Sequence, residues 1–333
     1  MDNRLRKSDK ITMDDIANDL NVSKTTISRA ISGKGRVGGK TKEKILDYIK
    51  AKGYKPNNTA RALASSKTNN ISVVLPDSND GGDASFFKDC LVGVTEAALT
   101  EDYDVVLTVL AQDTNALKRL VENQKVDGVV LTRYTRNEVI PYLKENNVPF
   151  ILIGIDPDDE VLQIDSNQQE SCKNLVVQLL QKKFTKLVYL GASKKLNIEK
   201  IRFNGYKQAF SEQRIPLNKD FVFWDAQSNL NQIVDSVLKE RIDCFVCSDD
   251  VICLKLIEVL KEKQISIPGD VQVVSFFDNE ELENNEIPIT AVHLDTRKMC
   301  FLAGKIIIEH INNQNPQKNN SFECTIAFRS SNL

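Results

Sequence analysis

The sequence predicts two kinds of fold in one chain: an all-α head built on a helix-turn-helix, then an α/β core of two doubly wound parallel-sheet lobes. Three observations lead there. The chain has 333 residues, more than one hydrophobic core usually fills. Its first 67 residues hold 16 Lys and Arg against 7 Asp and Glu, leaving 28 against 39 for the rest, so a basic head precedes an acidic body. From Ile71 onward, short apolar runs alternate with amphipathic stretches at helical spacing, and the alternation occurs in two successive sets.

In ITMDDIANDLNVSKTTISRAISG, Thr12 can cap a helix whose Met13, Ile16, Ala17 and Leu20 share one face, with Asp14 and Asp15 favourable at its positive end. Asn21 ends it, Val22 bridges a tight turn, Ser23 caps the next helix, and Ile27, Ala30 and Ile31 return to the same core. That is helix-turn-helix spacing. The second helix then exposes Lys24, Thr25, Ser28 and Arg29, and residues near the start of such a helix reach base edges in a major groove. A third helix, roughly Thr41 to Lys52, closes the core with Ile45, Ile49 and Tyr48. The stretch GKGRVG, Gly33 to Gly38, matches G-x-G-x-x-G but follows a helix rather than a strand, so it reads as a loop that offers Lys34 and Arg36 to phosphate. Asn57 can cap a short helix holding Ala60 to Ala64, and a polar linker runs from Ser65 to Asn70. Neutralisation of phosphate by Lys and Arg dominates nucleic-acid affinity, so the basic head is the part expected on DNA.

In the core, ISVVLP, DVVLTVL, DGVVLT and PFILIGI read as strands, with helices near 86–99, 116–122 and 138–144 between them. KLVYLG, FVFW, DCFVCS and VQVVSFF repeat the pattern with helices near 170–182, 199–213, 230–240 and 250–263. Such alternation builds parallel sheets covered on both faces, and ligands of these folds sit outside the carboxyl ends of the strands. Two facing lobes make a cleft.

Several function classes find no support in the residues. No apolar run approaches the roughly 20 residues of a membrane helix, and the basic N-terminus MDNRLRKSDKI is not followed by the apolar stretch of a secretory signal, so a cytoplasmic protein without membrane contact is expected. Seven cysteines, Cys90, Cys172, Cys244, Cys247, Cys253, Cys300 and Cys324, are scattered through apolar segments and read as reduced and buried. The two histidines, His293 and His310, fall in separate elements, so no metal site, cofactor or histidine-based triad is spelled out and no catalytic residue is expected. Cys244-x-x-Cys247 lacks a partner pair, and DPDDE, Asp156 to Glu160, lacks the glycine turn of a calcium loop.

Residues 10 to 70 resemble the DNA-binding head and hinge of the LacI/GalR family of bacterial repressors, on the stretches ITMDDIANDLNVSKTTISRAISG, RVGGKTKEKILDYIKAKGYKPN and TARALAS. The resemblance implies that Lys24, Thr25 and Arg29 read the major groove. It also implies that Leu63 wedges into the minor groove beside its dimer mate, with Arg61 a neighbouring contact; such a wedge unstacks a base step and bends the DNA. Gly38 stands where many members have a serine cap for the third helix, so a weaker cap is expected there. Thr12, Ser23, Ser28 and Asn57 complete the expected DNA-binding set.

The likeness extends through RFNGYKQAF, CSDDVICLKLIEVLKEKQISIPGDVQVVSFFDNEEL and IPITAVHLD to the effector-binding core that the family shares with periplasmic sugar-binding proteins. It implies an effector gripped by Arg202, whose guanidinium fork suits hydroxyl or carboxylate oxygens. Ser248 and Asp249 fall where the family has Asn-Asp facing the ligand, although Asp249 reads equally as the cap of the next helix. Thr132 and Phe86 or Ser85 would line the first lobe, and Trp224 either stacks on the ligand or packs. Two departures concern the ligand: Phe277 takes the place of a sugar-gripping aspartate, and Gly154 stands where an aspartate is common. A ligand with negative charge or an apolar ring fits that loss of acceptors; alternatively Asp278 replaces the missing acid through a local shift.

Taken together, the expectation is a homodimeric, ligand-responsive repressor of carbohydrate-utilisation genes. It would bind double-stranded, near-palindromic operator DNA and take a small sugar or sugar-acid effector between the lobes. The expected divisions are a head at 1–56, a hinge at 57–70 and a core at 71–333, with lobe one about 71–164 plus 292–320 and lobe two about 165–291 plus 321–333. Two alternatives stay open: a catabolite-control-type regulator whose core responds to a phosphocarrier protein, and a sugar-processing enzyme with an accessory DNA-binding head.

Overall fold

The structure, a computed structural model, describes residues 11–32, 35–54, 67–76, 84–110, 113–132 and 138–332. It divides after Thr68 into a small unit and a large one. The short hinge helix, with Asn57, Arg61 and Leu63, and the loop residue Lys34 lie outside the described residues.

In the small unit, α1 (Met13–Leu20) opens on a capping box: Thr12 Oγ1 accepts from the Asp15 N–H at 3.3 Å, and the Asp15 carboxylate accepts from the Thr12 N–H at 2.8 Å. Asn21 closes it in the left-handed region at φ 52°, which Asn tolerates better than most residues. The next helix, α2 (Lys24–Ser32), starts on Ser23, whose Oγ accepts from the Thr26 N–H at 3.1 Å. α3 (Gly39–Lys52) begins two residues before the expected Thr41, and its cap residue Gly38 supplies no side-chain hydrogen bond. Ile16, Ile27, Ala30 and Ile45 are buried where the three helices meet, with Ala17, Leu20, Tyr48 and Ile49 packed around them.

The large unit alternates strand and helix. Its first half runs β1 (Asn70–Pro76), α4 (Ala84–Thr100), β2 (Asp104–Leu110), α5 (Asn115–Glu122), β3 (Gly128–Leu131), α6 (Val139–Glu145), β4 (Phe150–Ile153) and β5 (Gln163–Ser166). The second half runs α7 (Gln168–Gln181), β6 (Leu187–Leu190), α8 (Asn197–Glu212), β7 (Val222–Phe223), α9 (Leu230–Val237), β8 (Cys244–Cys247), α10 (Asp250–Glu262), β9 (Gln272–Ser275), the short α11 (Glu280–Glu283) and β10 (Thr290–His293). The chain then returns through α12 (Thr296–Ile311), β11 (Asn319–Phe322) and β12 (Thr325–Ala327). One sheet is ordered β11-β5-β4-β3-β1-β2 and the other β12-β10-β9-β8-β6-β7. Each therefore repeats one doubly wound order, second-first-third-fourth-fifth. Every pair is parallel except β12 on β10, an antiparallel edge strand that the sequence pattern did not foretell.

The chain crosses between the sheets three times, after Ser166, His293 and Phe322. Each crossing falls two residues later than expected, because β5, β10 and β11 all end in polar or mixed residues that carry no apolar signal. The central strands GVVL, FILI, LVYL and CFVC are buried throughout, as parallel strands covered on both faces must be. All seven cysteines are buried, and none forms a disulfide among the described residues. Among the described residues no helix is long and apolar enough to cross a membrane.

α12 returns to pack on α4 at close range. A Cβ on Gly93 would lie 2.2 Å from the Arg297 carbonyl oxygen, and one on Gly304 would lie 2.6 Å from Ala97 Cβ. Backbone cannot yield there as a flexible side chain could. Gly93→Ala should therefore destabilise the protein by about 1–3 kcal/mol, despite the ~1 kcal/mol that alanine gains over glycine in a helix. Urea unfolding measures it, and a stabilised variant would show that the two helices do not pack this closely.

Candidate functional sites

Two surfaces carry the residues singled out by sequence. On the small unit, Ser23, Lys24, Thr25, Ser28 and Arg29 are all exposed while Ile27 and Ala30 between them are buried, so α2 presents a polar face that its own packing does not consume. Ser23 is engaged as the cap, and Lys24 forms an ion pair with Asp14 of α1. The stem of Arg29 lies against Gly35, whose Cβ position would be 3.1 Å from Arg29 Cδ; Gly35 sits at φ 98°, a conformation that favours glycine. Thr12 is exposed, and its side chain is spent on the α1 cap.

The second surface is a cavity of about 150 Å³ between the lobes. It gathers residues from the carboxyl ends of strands in both sheets: Ile153 to Ile155 after β4, Asp165 and Ser166 on β5, Phe277 after β9 and Leu294 after β10. The starts of helices close it, with Phe86 from α4, Met299 from α12, Gln168 from α7, and Asn197, Ile198, Ile201 and Arg202 from α8. Its wall is mainly apolar, with a few polar groups converging.

Arg202 is the cation on that wall, and its side chain is 5% exposed. Nε donates to Gln168 Oε1 at 3.1 Å, one terminal nitrogen lies 3.4 Å from Glu199 Oε1, and the guanidinium sits 5.4 Å from the centre of the Phe277 ring. Glu199, one helical turn earlier and 1% exposed, also accepts the Ala192 N–H at 2.9 Å through its other oxygen. Asp165 has no such cation. Burial pushes its carboxyl up to about 6, against one hydrogen bond from the Ser166 backbone that lowers it.

The structure brings Phe86, Arg202 and Phe277 to the cavity and leaves the other five expected effector residues off its wall. Asp278 is the clearest correction. Ser275 Oγ donates to the Phe277 carbonyl at 2.6 Å and accepts its N–H at 3.2 Å, a turn that sends Phe277 inward and Asp278 away. Asp278 then takes both terminal nitrogens of Arg329, at 2.7 and 2.8 Å, and His293 Nδ1 at 3.0 Å. Asp249 caps α10, accepting from the Ile252 N–H at 2.8 Å, and burial pushes its carboxyl up to about 6. Trp224 packs at 5.0 Å from Phe203 and 5.5 Å from Tyr189. Thr132 donates to the Val74 carbonyl at 2.8 Å, and Ser248 accepts from Ala192 N–H at 3.2 Å.

Residues 12–57 match the model of bacterial regulatory proteins of the lacI family, and residues 176–332 match a periplasmic binding protein-like domain. The chain carries the DNA-binding domain of the lacI family of bacterial regulatory proteins. The transcriptional regulator RegA of Clostridium saccharobutylicum is 27% identical over 308 residues, covering 90% of this chain and 92% of RegA. A structure of the lac repressor dimer bound to operator and the anti-inducer ONPF shares the fold at TM-score 0.76 and 18% identity, over 97% of this chain and 99% of that one. A complex of the transcriptional regulator CelR with cellobiose shares it at TM-score 0.70 and 21% identity, over 97% and 100%. With that domain the chain is a DNA-binding transcriptional regulator.

Sequence reasoning missed Asp165, Gln168 and Glu199 in this core. Glu199 was legible, since it stands three residues before Arg202 on a helix, where side chains meet. The other two lie at a crossing that the apolar pattern did not mark. Arg202→Met should cost about 3–5 kcal/mol, because it strands the buried Glu199 charge, and a second change, Glu199→Gln, should recover most of the loss. Denaturant unfolding of the three variants reads this directly; a cost below about 1 kcal/mol for the single change would mean the pair is not buried in solution.

Proposed function

We propose that this regulator represses genes of sugar use in response to a small ring ligand held in the interlobe cavity, and that it binds a near-palindromic operator as a dimer. The observation that carries the reading is the cavity itself: in one chain with an α2 polar face, residues from the strand ends of both sheets and the crossing segments converge on it. Its apolar wall with a few oriented polar groups is the usual character of a small-molecule site. The cellobiose in the related CelR complex supports a sugar-like ligand.

A dimer is supported by the edge of the first sheet, which is free among the described residues. β2 is its edge strand, and Leu107 and Val109 point outward, 49% and 45% exposed. Leu99 and Leu302, on the paired helices α4 and α12, are 67% and 40% exposed. An unpaired apolar edge is a hazard that natural proteins cover, and a second copy covers it symmetrically. Leu107→Asp should shift the protein from dimer to monomer in sedimentation; an unchanged dimer would move the interface elsewhere.

On DNA, Arg29 is the residue expected to read a base. Arg29→Ala should cost about 1–3 kcal/mol on the preferred operator and relax base preference at one position of each half-site. Operator selection from a random library, followed by titration of the variant, tests it. A uniform loss across all sequences would reassign Arg29 to phosphate.

A further inference from the structure

The charges around the cavity narrow its ligand to a class that sugar recognition in general does not specify. Arg202, the cation on the wall, is already engaged: Gln168 and Glu199 take two of its five N–H donors, and the Phe277 ring centre lies 5.4 Å from it. An anionic ligand would have to draw that guanidinium from a carboxylate already on it. Asp165 faces the same cavity and, among the described residues, has no cation beside it. A half-buried carboxylate with one backbone hydrogen bond and no cation is incompletely compensated, and the balancing charge can come from the ligand. Ser166, Gln168 and Asn197 add oxygen and amide groups suited to ring hydroxyls, while Ile153, Ile155, Leu294 and Met299 form an apolar side. The volume, about 150 Å³, matches the size of apolar cavity that accepts one six-membered ring.

We propose that the cavity selects a single-ring amine, an amino sugar in chemical class, with its ammonium group on the Asp165 carboxylate, and that it rejects sugar acids and sugar phosphates. The proposal rests on the reading of the cavity as the effector site. Binding should follow the ionisation of Asp165. The groups that bear on it are the Cys324 thiol, which burial pushes up to about 11 and so leaves neutral, and Arg202 with its partner Glu199 on α8. Asp249, beyond Arg202 at the head of α10, is also pushed up to about 6, so a variant at Asp165 is needed to assign the effect. A carboxyl that ionises near pH 6 accepts an ammonium better as pH rises, giving an affinity gain of about tenfold between pH 5 and pH 7.

The test is isothermal titration of the full chain with glucose, galactose and mannose, their 2-amino and N-acetylated forms, and the corresponding uronates. One amino sugar should bind at least about tenfold more tightly than its parent and its N-acetylated form, with no uronate binding. That preference should grow from pH 5 to pH 7, and Asp165→Asn should bring the ratio of amino to parent affinity to about one. The pH series on the unaltered chain stands alone if the variant fails to fold. A parent sugar that binds as tightly as its amine overturns the amine while keeping the cavity as the effector site, and a uronate that binds best does the same. Absence of binding by every ring overturns both readings.

Discussion

Because one chain completes both lobes by passing between them three times, the segments that join the lobes are also the segments that a ligand would touch. Ser166 and Gln168 flank the first passage, Leu294 lies in the second, and all three line the cavity. Closure of two such lobes is carried by φ and ψ changes at a few residues of this kind. Contact with ligand and change of lobe angle are therefore not separate events joined by a distant pathway. A ligand biases the angle by whatever difference in contact it makes at those residues, and by no more than that difference.

The pair formed by Arg202 and Glu199 serves position more than stability. Removing two charges from water offsets most of their attraction, so a buried pair is weak evidence for a stable fold. What the pair does is hold one guanidinium against Phe277 and Gln168 on the cavity wall. Asp278 does comparable work in the second lobe. Its carboxylate, 2% exposed, clamps Arg329 of the C-terminal segment, which also donates to the Ile289 carbonyl at 2.7 Å. The acid next to Phe277 in sequence thus fastens the C-terminal segment to the second sheet.

The alternation of strand and helix was legible because strands buried on both faces read as unbroken apolar runs, and the head because its buried positions recur at helical spacing. β5, β11 and β12 were not. QIDS, NNSF and TIA lie at or near sheet edges, where one face meets solvent or a crossing, and their composition resembles a loop. The same weakness hid Asp165, the cavity's uncompensated carboxyl. Gly154 and Phe277, singled out as departures, both line the cavity, whereas the Ser275 turn, which no sequence pattern announces, directs Asp278 away from it. Gly154 adopts φ 137°, closed to most side chains, so an aspartate at that position is incompatible with this backbone and not merely absent.

The head shows how little burial a small unit needs when its ends are well made. Four fully buried side chains, Ile16, Ile27, Ala30 and Ile45, hold three helices together. Units of this size bury a small share of their surface, so each cap, at about 1 kcal/mol, is a large part of the balance. Thr12, Asp15 and Ser23 give side-chain hydrogen bonds to those caps, and Asn21 gives its left-handed backbone. Thr25, Ser28 and Arg29 remain exposed on α2, with the Arg29 stem close to Gly35, so packing and capping of the head leave that polar face unused.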